Sequence, residues 1–252
     1  MKAHGKVIGP SPGARSRFLV IDAWRGFAIC LMVIYHFCFD LSYFGLADFD
    51  FYRSSFWLYA RTFILSQFLL LVGISLVLAT QRGLDVGRFL RRLGWLLASA
   101  AVVSFSTWLL FGDRWVVFGV LHFIAVASVL GLFFVHHLWL SLVLAIVLIA
   151  AGNLLQYEWF DQPGWNWIGL MTHKPATEDY VPMLPWFGVI LLGISAALLQ
   201  RRMCSGSCSA ASLPGARWLR PLAVAGRNSL LIYMLHQPVL MAVLYTGVRL
   251  SA

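Results

Sequence analysis

The sequence predicts an all-α fold, a polytopic membrane helix bundle of about seven transmembrane helices with a cytoplasmic N-terminus. Of the 252 residues, 60% are hydrophobic and 12% are charged, with a mean hydropathy of +0.80. Soluble domains carry about 25% charged residues, so this composition indicates an integral membrane protein. The 11 Trp, 19 Phe and 8 Tyr suit lipid-facing surfaces and interfacial belts.

Seven apolar segments of spanning length follow one another along the chain. They are Ile21–Tyr43, Phe56–Ala79, Leu93–Phe111, Val116–Val135, Leu138–Leu155, Met183–Leu199 and Ser229–Leu250. The connections between them are short, so residues 17–252 are predicted to form a single transmembrane domain. The preceding arm, residues 1–16, is rich in Gly, Pro and basic residues and is predicted to be disordered.

The connections alternate in charge, which sets the predicted orientation. The N-terminal arm and the second and sixth connections carry an excess of Lys and Arg, whereas the first and fifth carry most of the acidic residues. By the positive-inside rule the basic connections are cytoplasmic, which places the C-terminus outside. The formal net charge of +9 therefore reflects topology, and the predicted partner is membrane lipid rather than nucleic acid.

The first span carries four ionisable residues, Asp22, Arg25, His36 and Asp40. At about 100° per residue, His36 falls within roughly 20° of Arg25, and both carboxylates fall within about 60°. With a rise of about 1.5 Å per residue, the stripe extends roughly 27 Å, close to the hydrocarbon thickness. Such residues are costly in lipid, so the stripe must face other helices or a wet cavity and is a functional-site hypothesis.

Each member of the stripe has a structural alternative. Asp22 and Arg25 can pair at i and i+3, or they can be a helix-start carboxylate and an Arg that reaches the headgroups. His36 titrates near neutrality, which suits a general base, and Asp40 at i+4 is expected to orient its ring. The alternative for His36 is a hydrogen bond between helices.

Further candidates lie in the other spans and connections. His122 and His236 are membrane-depth imidazoles that could contact a substrate or hydrogen-bond between helices. Trp165 and Trp186 belong to an aromatic outer region that suits sugar rings but is also typical of an interfacial belt, and residues 156–182 could include a re-entrant helix. Basic and polar residues at the cytoplasmic ends are candidates for binding an anionic ligand, namely Arg91, Arg92, Arg227 and Asn228. No metal site is predicted, because Cys204 and Cys208 lack accompanying ligands.

Five stretches together carry a resemblance to a known family. They are IDAWRGFAICLMVIYH, FLLLVGISL, GVLHFIA, MLPWFGVILLGI and GRNSLLIYMLHQP, spread over nearly the whole chain. In this order they resemble bacterial members of the heparan-α-glucosaminide N-acetyltransferase catalytic-domain family. The spacing of Arg25 and His36 also resembles the Arg–His pair of the wider transmembrane acyltransferase group. The lysosomal members place a key His after the first span, but residues 44–55 contain none, which leaves His36 as the candidate.

The resemblance implies an enzyme of a bacterial inner membrane that uses acetyl-CoA as donor. It would pass the acetyl group to a sugar hydroxyl or amine on the outer side, with Arg25, His36 and Asp40 as catalytic residues. Arg25, Asp22, Arg91, Arg92, Arg227 and Asn228 would bind the donor. The partners expected are lipid, acyl-CoA, a glycan or sugar acceptor and, as a candidate, a second copy of the chain. The alternative is a transporter or flippase that uses the stripe as a substrate or proton path.

Overall fold

A computed structural model describes residues 12–81, 83–162, 164–174, 179–203 and 216–251. In these ranges the regular structure is helical, with one isolated antiparallel bridge between Gly119 and Tyr180. Short 3₁₀ turns separate some of the α-helices. The α-helices are α1 (Pro12–Tyr43), α2 (Ser55–Thr80), α3 (Val86–Phe111), α4 (Val120–Gly131), α5 (Leu138–Leu154), α6 (Trp186–Met203), α7 (Arg220–Arg227) and α8 (Ser229–Ser251).

The predicted all-α polytopic membrane fold is confirmed. Among the described residues, five helices are long and apolar enough to cross a membrane, and they are α1, α2, α3, α6 and α8. The other two predicted spans are shorter apolar helices, Val120–Phe134 and Leu138–Leu154. At about 1.5 Å per residue these two extend roughly 23 and 26 Å, less than a full hydrocarbon thickness of about 30 Å.

Several helix boundaries differ from the sequence-based expectation; α3, for example, begins at Val86 rather than at Leu93. Helix α1 begins at Pro12, inside the arm predicted to be disordered, and proline is well suited to a first helical position. Residues 1–11 lie outside the described residues, so disorder there stays a prediction. Helix α4 begins at Val120 rather than Val116, where the Asp179 carboxylate accepts a 3.2 Å hydrogen bond from the Val120 amide. The described part of 156–182 contains the 3₁₀ turns Glu158–Asp161 and Asn166–Ile168 and the bridge residue Tyr180, and it contains no α-helix.

Helix α7 was not predicted, because it lies in the connection before the last span. It begins with Pro221 in its first turn and buries Ala223 and Gly226. Asn228 separates it from α8, and its side-chain amide donates to the Val224 carbonyl at 2.9 Å. The helix is therefore a short element that ends two residues before α8 begins.

The chain divides into two compact units, residues 1–64 with 204–252 and residues 65–203. The first unit is held together by close contact between α1 and α7. A Cβ on Gly26 would lie 1.8 Å from the Leu222 carbonyl oxygen, and one on Gly226 would lie 1.8 Å from the Asp22 carbonyl oxygen. Small residues of this kind allow membrane helices to approach closely. Glycine on both helices is therefore what lets α7 lie against α1.

The second unit uses the same packing device. A Cβ on Gly73 of α2 would lie 2.1 Å from the Ile190 carbonyl oxygen, and one on Gly193 of α6 would lie 2.3 Å from the Leu70 carbonyl oxygen. Around this contact the unit buries large apolar side chains, including Leu69, Phe123 and Ile194. Each unit, taken by itself, shows the close packing at small residues that is expected of membrane helices.

We expect Gly226→Ala to destabilise the first unit. The added methyl group has no room beside the Asp22 carbonyl oxygen, so α1 and α7 must separate, at a cost of about 1–3 kcal/mol. A lower thermal unfolding midpoint of the detergent-purified protein would show this. Gly94→Ala is the matched control, because a Cβ there meets no atom within 4 Å. Equal midpoints for both variants would contradict the close contact.

Candidate functional site

The first unit places a charged cluster where α1 meets α7. The Asp22 carboxylate contacts Arg25 Nη1 at 3.3 Å and Arg227 Nε at 2.9 Å. Glycine packing brings α7 to α1 at this level, so a pair predicted within one helix becomes a cluster of three. One carboxylate between two guanidinium groups leaves an excess of one positive charge. The Arg227 side chain is 60% exposed, so a soluble anion can reach it.

Farther along α1, two side-chain pairs join it to α8. The rings of His36 and His236 face each other with centroids 4.9 Å apart at an angle of 62°. One turn on, Gln237 Nε2 donates to Asp40 Oδ1 at 2.7 Å. We call these four residues the α1–α8 cluster. The stripe on α1 therefore faces protein, as its cost in lipid required.

The expected hydrogen bond between Asp40 and His36 does not form. Among the described residues, the Asp40 side chain receives its hydrogen bond from Gln237, and no bond joins it to His36. The helical projection placed both residues on one face correctly. It gave no information on what α8 presents to that face. Gln237 was not identified from the sequence, although an amide beside His236 in an apolar helix was a signal that could have found it.

Aromatic side chains adjoin His36 within the same unit. The Tyr35 and His36 rings meet edge to face with centroids 5.9 Å apart. Tyr35 also packs against Phe51 at 5.3 Å and Trp57 at 5.7 Å. These rings come from the segment after α1 and from the start of α2. Tyr35 therefore joins the α1–α8 cluster to an aromatic group that includes Phe51 and Trp57.

His122 and four other predicted site residues lie in the second unit. The His122 Nδ1 atom accepts from the Gly119 amide at 3.3 Å, and its Nε2 lies 3.3 Å from the Ser104 hydroxyl. Both nitrogens are therefore already bonded within the chain, which matches the structural alternative. Arg91 and Arg92 lie in the first turns of α3, Trp165 precedes the turn Asn166–Ile168, and Trp186 begins α6.

In the second unit, several described residues between α5 and α6 are joined by side-chain hydrogen bonds. Asp161 accepts hydrogen bonds from the Thr172 hydroxyl and from the Thr172 and His173 amides. These bonds, the Thr172 hydroxyl first, hold the pKa of Asp161 down to about 2. The Tyr180 hydroxyl donates to the Asn166 carbonyl, and burial raises the pKa of Tyr180. Among the described residues, no group of three or more His, Cys, Asp or Glu side chains is arranged to hold a metal ion.

We expect Gln237→Leu to lower the free energy of unfolding by about 1–3 kcal/mol. The variant removes the donor to a carboxyl group that is only 1% exposed, and an unsatisfied buried acceptor is costly. Denaturant titration of the detergent-purified protein measures the change. Gln156→Leu, on an exposed residue of the outer connection, should change it by less than about 0.5 kcal/mol. Similar losses in both variants would contradict the assigned bond.

Comparison with known proteins identifies the family. A family model described as heparan-alpha-glucosaminide N-acetyltransferase, catalytic, matches residues 17–238. No curated protein and no solved structure matches the chain. The family match includes α1, with the charged cluster and His36, and extends through the His236–Gln237 pair of α8. Because it covers most of the 252 residues, the chain belongs to the heparan-alpha-glucosaminide N-acetyltransferase catalytic-domain family, a family of transmembrane acetyltransferase type.

Proposed function

We propose that the protein transfers an acetyl group from cytosolic acetyl-CoA to a hydroxyl or amine of a sugar on the outer side of a bacterial inner membrane. The observation that supports this most is the α1–α8 cluster, which pairs two imidazoles at membrane depth beside a buried carboxyl group. Imidazoles are the usual proton carriers of acyl transfer at neutral pH. Family membership supports the acetyltransferase class.

The donor side is the charged cluster of Asp22, Arg25 and Arg227. Its excess positive charge suits the phosphates of CoA, for which arginine is a favoured ligand. In this assignment Asp22 positions the two guanidinium groups and does not itself meet phosphate, while Asn228 lies next to Arg227. Donor binding by Arg91 and Arg92 stays a prediction from the sequence.

The reaction side lies about 16 Å farther along α1, eleven residues from Arg25 to His36. An extended pantetheine arm beside α1 would carry the thioester toward this level. The acceptor oxygen or nitrogen attacks the thioester carbonyl carbon, the carbon–sulfur bond breaks, and the sulfur leaves as a thiolate. An imidazole takes the acceptor proton and returns it to the thiolate, so the transfer balances within the cluster.

We expect the purified protein to release CoA thiol from acetyl-CoA only when a sugar acceptor is present. His36→Ala should lower this rate by at least about 100-fold, because it removes a group at the reacting atoms. A thiol reagent measures release, with glucose and glucosamine as acceptors. His137→Ala, in the exposed turn before α5, is the matched control and should keep wild-type activity. Sugar movement across vesicles without thiol release would instead indicate a transporter, and retained transfer by His36→Ala would contradict the site.

We expect Arg227→Gln to raise the KM for acetyl-CoA several-fold with little change in kcat. The exposed guanidinium is assigned to the phosphates, so its loss weakens donor binding without touching the reacting atoms. Acetyl-pantetheine, which lacks those phosphates, provides the control. Its KM should be the same for both proteins. An equal rise in KM for both donors would show that Arg227 acts through the structure of α7 instead.

A further inference from the structure

Three buried polar atoms of the α1–α8 cluster lack a hydrogen-bond partner among the described residues. They are Asp40 Oδ2, His236 Nε2 and Gln237 Oε1. Buried polar groups are bonded in the great majority of cases, so a concentration of unpartnered atoms at one place marks a site that something else completes. Asp40 is only 1% exposed, whereas His236 and Gln237 are half-buried. The site therefore combines an enclosed carboxyl group with two partly exposed side chains.

The tautomer of His236 follows from its one intramolecular bond. Its Nδ1 lies 2.7 Å from the Tyr233 carbonyl oxygen. A carbonyl oxygen can only accept, so Nδ1 must carry the hydrogen. In the neutral ring the hydrogen is then absent from Nε2, which keeps its lone pair. The buried, unpartnered nitrogen of His236 is therefore a hydrogen-bond acceptor.

The orientation of the Gln237 amide follows in the same way. Asp40 Oδ1 is an acceptor, so the amide group 2.7 Å from it must be the nitrogen, which leaves Oε1 as the unpartnered atom. Asp40 Oδ2 is likewise an acceptor in the ionised carboxylate, so in that state all three open atoms accept hydrogen bonds. Whatever completes the site must bring several donors, which a sugar with neighbouring hydroxyl or amino groups does and a thioester does not.

His36 differs from His236 in this respect. Among the described residues, neither of its ring nitrogens has a hydrogen-bond partner, so no bond fixes its tautomer. Its ring adjoins the apolar aromatic group of Tyr35, Phe51 and Trp57. His36 also lies on the same helix as Arg25, whereas His236 lies beside Gln237. The two imidazoles are therefore not equivalent.

We propose that His236 Nε2 is the general base that deprotonates the acceptor, and that Asp40 Oδ2 and Gln237 Oε1 bind the neighbouring donor groups of the same sugar. This assignment rests on the proposed acetyl transfer and divides its site in two. His36 then contacts the donor thioester rather than the acceptor hydroxyl. A fixed tautomer suits the base, because Nε2 is unprotonated in every neutral molecule and needs no ring flip before it accepts a proton.

The proton and bond changes follow from this geometry. As the acceptor O–H or N–H donates its proton to His236 Nε2, its oxygen or nitrogen bonds to the acetyl carbonyl carbon. The carbon–sulfur bond breaks and CoA leaves as a thiolate. The imidazolium keeps its Nδ1–H bond to Tyr233 and gives the Nε2 proton to the thiolate, which restores neutral His236 and yields CoA thiol.

The test compares two nucleophiles in wild type, His236→Gln and His36→Gln. One is glucose or glucosamine, whichever the wild type uses better, and the other is hydroxylamine, which is neutral near pH 7 and attacks without prior loss of a proton. If His236 is the base, His236→Gln loses about 10²–10⁴ in kcat with the sugar but less than 10-fold with hydroxylamine. His36→Gln should lose similar factors with both nucleophiles.

Each other outcome has a definite meaning. An equal loss with both nucleophiles in His236→Gln would indicate a structural role, and a loss of less than 10-fold with the sugar would show that another group is the base; either overturns the inference. The reverse pattern, selective loss in His36→Gln, would assign the base to His36. If the wild-type protein transfers no acetyl group from acetyl-CoA, the proposed function itself is wrong. The wild type is therefore measured before the variants are compared. His137→Gln serves as the matched control for histidine replacement.

Discussion

The contact between Gly26 and Gly226 fixes the register of the first unit. Because each glycine leaves room for a backbone carbonyl of the other helix, α1 and α7 meet at one depth and cannot slide without a clash. From that point the chain runs ten residues to His36 on one side and ten to His236 on the other. On α1 the ten residues from Gly26 to His36 belong to one continuous helix and rise roughly 15 Å. On the other side, α7 ends at Arg227 and α8 begins at Ser229, and it is α8 that brings His236 to His36, with ring centroids 4.9 Å apart.

The ionisable residues of α1 lie at two levels, one at Asp22 and one at Asp40, and their burial is compensated in different ways. At the level of Asp22 the charges pair directly, and part of Arg227 stays in contact with solvent. At the level of Asp40 the carboxyl group is enclosed and has a neutral amide as its partner. A buried carboxyl group with one neutral donor is incompletely satisfied, and such incomplete networks are costly unless a ligand finishes them. The unpartnered buried atoms of the unit are therefore concentrated at the level of Asp40.

The sequence predicted what depends on periodicity within one segment. Apolar length gave the helices, and the 3.6-residue period placed Arg25, His36 and Asp40 on one face. The periodicity of one segment does not show which side chains of other helices lie opposite that face. Gln237 is an inconspicuous amide until α8 is seen to place it opposite Asp40, and Asp22 looks like a partner of Arg25 alone until α7 brings Arg227. Helix α7 was missed because eight residues bounded by arginines read as a connection.

His122 differs from His236 in its hydrogen-bond partners, although each was predicted either to contact a substrate or to bond between helices. Its two ring nitrogens are used to tie the start of α4 to Gly119 and to α3 through Ser104. Depth and residue type were the same as for His236. The difference is whether local backbone donors are available, and the irregular residues before α4 supply one where the continuous helix α8 does not.

The order of the first unit along the chain has a consequence for biosynthesis. The α1–α8 cluster combines side chains from two helices that are separated along the chain by the whole of the second unit. During translation His36 and Asp40 enter the membrane first and must wait while six further helices are made. Until α8 inserts, a carboxylate and an imidazole stand in the bilayer without the partners that later enclose them. During most of its synthesis, the chain therefore has His36 and Asp40 in the membrane without their partners on α8. The α1–α8 cluster is complete only after the last helix has inserted.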